Sequence, residues 1–119
     1  MSRELAKEAR RRQLIEATID GIARKGFAEL KIADVAAEAG LSVGIVNFYF
    51  KSKDALLIAT LKHLVEDYEQ HMQGILARAG KTAAEQIDAM IDADFARTHA
   101  NRKHVTVWYA FWGETRWRP

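Results

Sequence analysis

Along residues 9–25 the positions Leu14, Ile15, Thr18, Ile19, Ile22 and Ala23 recur at intervals of three and four, and Gly26 follows the last turn. That spacing lays one continuous apolar stripe along a helix of 3.6 residues per turn. It predicts a first helix from Ala9 to Lys25 with glycine as its stop. Phe27 is expected to close the stripe as a core residue. A second stripe, Ile32, Val35, Ala36 and Ala39, predicts a helix of about two turns from Lys31 to Ala39, broken by Gly40. Ser42 is placed to accept a backbone N–H at the start of a third helix, Val43 to Phe50, also about two turns long. Ser52 repeats that signal before a long periodic segment with Leu57, Leu61, Leu64, Tyr68, Met72 and Ile75 or Leu76 on one side, running to Gly80. At 1.5 Å per residue this fourth helix is roughly 40 Å long, enough to tie both halves of the molecule together.

Thr82 and Glu85 make a capping box for a fifth helix, whose expected buried stripe is Ile87, Met90, Ile91 and Phe95. The final segment, NRKHVTVWYAFWGETRWRP, carries two competing patterns. Val105 to Tyr109 is β-favouring by local propensity, but Val105, Trp108, Tyr109 and Trp112 share a helical face and Asn101 can cap it. No earlier element is a strand with which it could pair, so a helix is expected here too. The fold class is therefore all-α: a three-helix head containing a helix-turn-helix, a long connecting helix, and part of a further helical domain.

Length changes this picture little, since 119 residues can bury a modest core without covalent staples. The absence of cysteine excludes disulfides, thiolate metal sites and a cysteine nucleophile. Residues 1–13 hold Arg3, Lys7, Arg10, Arg11 and Arg12 with no apolar run behind them, and the longest uncharged stretch, Ala39 to Phe50, is too short to cross a bilayer. The expectation is a cytoplasmic protein with no membrane partner. Net charge is +2, yet its distribution is uneven. Through Lys53 ten basic residues stand against seven acidic ones, and from Asp54 onward eight stand against nine. A basic first half on a near-neutral body suits a head that binds a polyanion.

Two short helices joined by AGLS form the helix-turn-helix. Gly40 permits positive φ at the turn, Ala36 and Ala39 let the backbones approach, and Ile32, Val35, Leu41 and Val46 are expected to fill the angle between them. The second helix is then braced on its inner side and free on its outer one. Asn47 offers a donor and an acceptor to the major-groove edge of adenine, and the neighbouring aromatic rings can pack on thymine methyls or the sugar-phosphate wall. Gly44 removes a side chain where the helix start nears a phosphate, and Lys51 and Lys53 supply salt-dependent phosphate contacts.

Residues 9 to about 70 resemble the DNA-binding head of the TetR family of bacterial transcription regulators. The resemblance rests on RRRQLIEATIDGIARKGF and on IADVAAEAGLSVGIVNFYFKSKDALL, with its alanine-glycine turn, tyrosine-phenylalanine exit and lysine-plus-leucines helix start. It implies a homodimeric, ligand-responsive repressor that binds a double-stranded operator through its third helix and a small-molecule effector through its second domain. By that pattern Ser42, Val43, Gly44, Asn47, Phe48, Tyr49 and Lys53 are DNA-facing. Leu30 and Lys31 stand where the family usually has threonines that cap the second helix and touch a phosphate. Lys31 can replace the phosphate contact by charge but not the cap, and Asn47 stands where many members have tyrosine.

The implied division is a head over 1–53 and a connecting helix with a partial ligand-binding and dimerisation domain over 54–119. Members usually continue through several further helices, so the segment that ends at RWRP is expected to be part of a longer domain. VNFYFKSKDALL together with WYAFW is most similar to a choline-responsive subgroup of the family. On that resemblance Trp108, Tyr109 and Trp112 are candidates to hold a quaternary ammonium by cation–π attraction, with core or subunit interface as the competing reading.

His63, Asp67 and His71 recur every four residues and could present metal ligands on one helix face, against the alternative of a solvent-facing stripe. Asp88 and Asp92 lie one turn apart without a sign of the burial that acid–base work requires. The expectation is no catalytic residue, no metal and no cofactor. A helical small-molecule-binding module without DNA activity remains an alternative, as does an enzyme built on the His63 face.

Overall fold

The computed structural model describes residues 2–100 and 102–114, of which 95–100, 102 and 114 are described by backbone alone. They form six helices: α1 (Arg3–Glu29), α2 (Ile32–Ala39), α3 (Val43–Tyr49), α4 (Lys53–Arg78), α5 (Ala83–Ala100) and α6 (Arg102–Glu114). No strand occurs among the described residues, and Val105 to Tyr109 is helical despite its β propensity.

The first helix starts six residues before the expected Ala9. The Ser2 hydroxyl accepts from Leu5 N at 3.2 Å, and the residues between are mostly good helix formers. Gly26 interrupts α1 as expected, with φ 77° and ψ 173°, a conformation open to glycine alone at little cost. The break tucks Phe27 into the core, where its ring meets Phe111 of α6 edge-on at 4.6 Å. Gly21 has a separate role. A Cβ there would lie 2.6 Å from Leu30 Cδ1, so the missing side chain makes room for the fully buried leucine that leads into α2.

One contiguous core runs through Leu14, Ile19 and Ile22 of α1, Val35 of α2, Val46 of α3, Leu56, Leu57 and Leu64 of α4, and Val107 of α6. Two buried hydroxyls are satisfied within their own helices, Thr18 donating to Leu14 O and Thr60 to Leu56 O, each at 2.8 Å. Lys103 of α6 adds an ion pair to Asp20 of α1 at 2.7 Å. The core crosses the chain between residues 53 and 54, so α4 belongs physically to the packing of the head as well as to that of α5 and α6.

One expected buried face is corrected. On α5, Ile87 is 56% exposed, and Met90 and Ile91 are exposed as well, because this helix lies mainly along α4 and nothing among the described residues covers its apolar side. The burial of Phe95 and the cap at Asn101 lie outside what is described. On α6 the buried position is Val107, flanked by half-buried Trp108 and Phe111, whereas Tyr109 is 73% and Trp112 66% exposed. Docking through Phe111 onto Phe27 turns the helix away from the face that spacing alone picks out. At α5 the Thr82 hydroxyl accepts Glu85 N at 3.1 Å, but the Glu85 carboxylate leans over Gly80, so one half of the capping box forms.

Candidate nucleic-acid interface

Helices α2 and α3 cross at 105°, within the range of helix-turn-helix units. The corner is built by Gly40 at φ 70° and ψ 32°. Its N–H donates to Ala37 O at 3.2 Å and Leu41 N donates to Ala36 O at 2.9 Å, the paired bonds of a Schellman motif. Gln13 Nε2 donates to Ala39 O at 2.9 Å, tying the end of α2 to α1. Ion pairs from Arg24 to Glu38 and from Lys25 to Asp34, the latter at 3.0 Å, hold the outer side of α2 to α1.

The start of α2 departs from the threonine pattern. A lysine ammonium has no lone pair, so Lys31 cannot accept a backbone N–H. Only the reciprocal half of a capping box forms, Asp34 Oδ2 accepting Lys31 N at 2.9 Å. The hydrogen bond from Lys25, followed by that from the Lys31 backbone, holds the Asp34 carboxyl below its ordinary value. The Lys31 side chain is exposed and points its charge to solvent.

Helix α3 is seated by a single buried residue, Val46, at 0% exposure. The Ser42 hydroxyl accepts Ile45 N at 3.1 Å to start it, and Phe50 N donates to Val46 O at 2.9 Å to close it, one residue before the expected end. Every other side of the helix looks outward. Ser42, Val43, Gly44, Ile45 and Asn47 are exposed, Phe48 is 72% exposed, and half-buried Tyr49 meets the Phe48 ring edge-on at 5.2 Å. Ile45 joins this surface although its spacing from Val46 gave no separate signal. A Cβ on Gly44 would meet only Ser42 Oγ at 3.8 Å, so neither backbone conformation nor internal packing requires glycine there.

Residues 14–60, which hold this whole unit, match the family described as bacterial regulatory proteins, tetR family. A regulator named HTH-type transcriptional regulator BetI 1, from Chromohalobacter salexigens, is 37% identical over 110 residues, 92% of this chain and 54% of its own length. The HTH-type transcriptional regulator BetI of Stenotrophomonas maltophilia is 34% identical over 119 residues, all of this chain and 61% of its own length. Residues 14–60 are a tetR-family domain. A TetR family regulator from Marinobacter aquaeolei VT8 shares the fold at a TM-score of 0.84, with 22% identity over 91% of this chain and 56% of that one. A TetR-family regulator from Haemophilus influenzae aligns at 0.70, with 25% identity over 85% of this chain and 55% of that one. The chain spans little more than half the length of the relatives it matches. The family is one of transcription regulators and not of enzymes.

Within this TetR-type head Lys53 does more than offer a charge. Its ammonium donates to Phe27 O at 2.8 Å, satisfying one of the carbonyls left without an intrahelical partner at the end of α1 and leaving two further N–H donors. The α6 aromatics do not converge. Trp108 turns toward Tyr68 with ring centroids 6.5 Å apart, while Tyr109 and Trp112 lie on the exposed side. His63 faces Glu16 of α1 at 3.4 Å, and no group of three His, Asp or Glu side chains among the described residues converges on a metal-sized site. No single helix among them is long and apolar enough to cross a membrane.

Proposed function

We propose that this chain is the DNA-binding head and part of the effector domain of a repressor that reads a double-stranded operator through α3 in the cytoplasm. The observation that carries the proposal is the outer surface of α3. A seven-residue helix with one fully buried residue, Val46, presents Val43, Gly44, Ile45, Asn47 and Phe48 on its exposed side. Gly44 is the sharpest element, since glycine weakens a helix and no internal contact here asks for it. An external backbone brought close to the helix start explains it.

The same surface implies a base preference. Residues 42–49 contain no Arg, Lys or Gln. The bidentate guanine contact therefore has no donor on α3, whereas Asn47 suits adenine N6 and N7, and Val43, Ile45 and Phe48 suit thymine methyls. Lys31, Lys51 and Lys53 flank it as phosphate contacts, with Ser42 and Tyr49 framing its two ends. Selection from a random duplex library should yield half-sites with A·T pairs under α3. Replacing their thymines by deoxyuracil, which deletes only the methyl, should weaken binding several-fold. A selected site read mainly through guanine, or no enrichment at all, would defeat this assignment.

As functional units we propose a head over 1–53 and an effector and dimerisation body from 54. In a dimer the two reading helices must sit about 34 Å apart to enter successive major grooves, so an effector switches the protein only by binding one spacing better than another. The effector we propose is a quaternary ammonium, supported by the ring faces of Trp108, Tyr109 and Trp112 on α6. Because these rings do not close a cage by themselves, further surface must complete the site. Calorimetry that registers no heat from choline at millimolar concentration would remove this ligand.

A further inference from the structure

The first three turns of α1 stand ahead of the core. Residues 2–9 are all exposed, and the first buried residue is Leu14, eleven positions after the helix begins. These turns project about 16 Å at 1.5 Å per residue. Their charges are sorted by face. Arg3, Lys7 and Arg11 follow one another at i+4 with Arg10 beside them, while Glu4 and Glu8 fall on another flank with Arg12. Like charges at this spacing disfavour the helix that carries them, and among the described residues no carboxylate lies within ion-pair distance of Arg3 or Lys7. Arg3 and Lys7, on successive turns and without an ion-pair partner among the described residues, are spaced to meet a row of anions outside the chain.

The root of this arm is fastened to the helix-turn-helix at both ends. The Arg11 guanidinium sits 4.7 Å above the ring of Phe50, the residue that closes α3, and Gln13, which also accepts from Arg10 Nη1 at 3.0 Å, holds the end of α2. The basic face thus begins one side chain away from the helix that carries the base contacts. The arm has no apolar side on which to lie in a lipid surface, since Leu5 is its one large apolar residue.

We propose that residues 3–10 form a second, sequence-independent DNA contact in which Arg3, Lys7 and Arg10 neutralise phosphates flanking the groove entered by α3. The inference rests on the operator-binding function argued above. Each neutralised phosphate on duplex DNA contributes about 0.9 to the slope of log affinity against log salt concentration.

The test compares the unaltered protein with R3A/K7A/R10A on a selected duplex and on an unrelated one, from 50 to 200 mM salt. Alanine is the best helix former and all three sites lie outside the core, so circular dichroism and thermal melting should show an intact fold. The expected result is a slope shallower by up to about 2.7, which is roughly 40-fold less loss of affinity over the fourfold rise in salt. The ratio between the two duplexes should stay unchanged. R3K/R10K, which keeps the charge, should retain the original slope. An unchanged slope in the alanine variant, with DNA binding intact, overturns the arm contact and leaves the α3 assignment standing. Absence of salt-dependent DNA binding in the unaltered protein overturns both.

Discussion

Replacing Gly44 by alanine should strengthen the fold and weaken DNA binding in the same molecule. The new Cβ meets nothing closer than Ser42 Oγ at 3.8 Å, an ordinary contact, and the backbone at 44 is not in the left-handed region. Removing a glycine from a helix is worth roughly 0.5–1 kcal/mol. For a chain of this size that corresponds to a rise of about 2–6 °C in Tm. On the DNA side the methyl must enter a contact already filled by the duplex backbone. Forcing one carbon into a packed contact costs about 1–3 kcal/mol, or about 5- to 150-fold in Kd. Thermal melting gives the first quantity, and fluorescence anisotropy on a duplex selected with the unaltered protein gives the second. A variant that melts higher and binds as tightly as before would refute the close approach at Gly44. One that melts lower would show that the helix start has an internal constraint the geometry does not contain.

Asn47→Ala should leave stability within about 0.5 kcal/mol, as for an exposed residue, while eroding preference at one base pair by about 1–3 kcal/mol in competition binding. Val46→Ala removes two buried carbons from the one fully buried residue of α3. Urea unfolding should show a loss of about 2 kcal/mol, and unchanged stability would mean that α3 is held by something else. Gly40→Ala forces a side chain into the left-handed corner and should lower stability by about 1–2 kcal/mol, read by the same method. The hydrogen bond to Asp20 holds Lys103 above its ordinary value of 10.5, offset in part by burial. That stabilisation is complete below pH 10.5 and disappears as pH rises through the raised value. Lys103→Met should therefore flatten the alkaline fall in stability, by less than about 1 kcal/mol because both partners are partly exposed. An identical alkaline limb in the variant would show that the pair carries none of it.

The helix-turn-helix was legible because its determinants are local. Gly40 sets a left-handed corner, Ser42 and Ser52 set two helix starts, and the spacing of Ile32, Val35 and Val46 sets which side faces in. Local determinants reach their limit at Lys31. The missing threonine cap was evident, but the bond from Lys31 N to Asp34 depends on a carboxylate one turn away being held by Lys25 of another helix. Lys53 is similar, since its bond to Phe27 O exists only because the end of α1 packs beside the start of α4.

Periodicity along the chain is a property of one helix at a time, and so it determined six helices, their approximate ends and the residues able to line a core. Which of two apolar faces is covered depends on what docks against it. Spacing alone grouped Tyr109 and Trp112 with Trp108 and placed Ile87, Met90 and Ile91 inside, whereas packing of Phe111 on Phe27, and of α5 along α4, left those side chains exposed. The exposed face of α3 was determined by sequence because its one fully buried residue, Val46, has a single place to go. The arm ahead of Leu14 took its meaning from tertiary structure, which alone sets its cations beside the helix that carries Asn47.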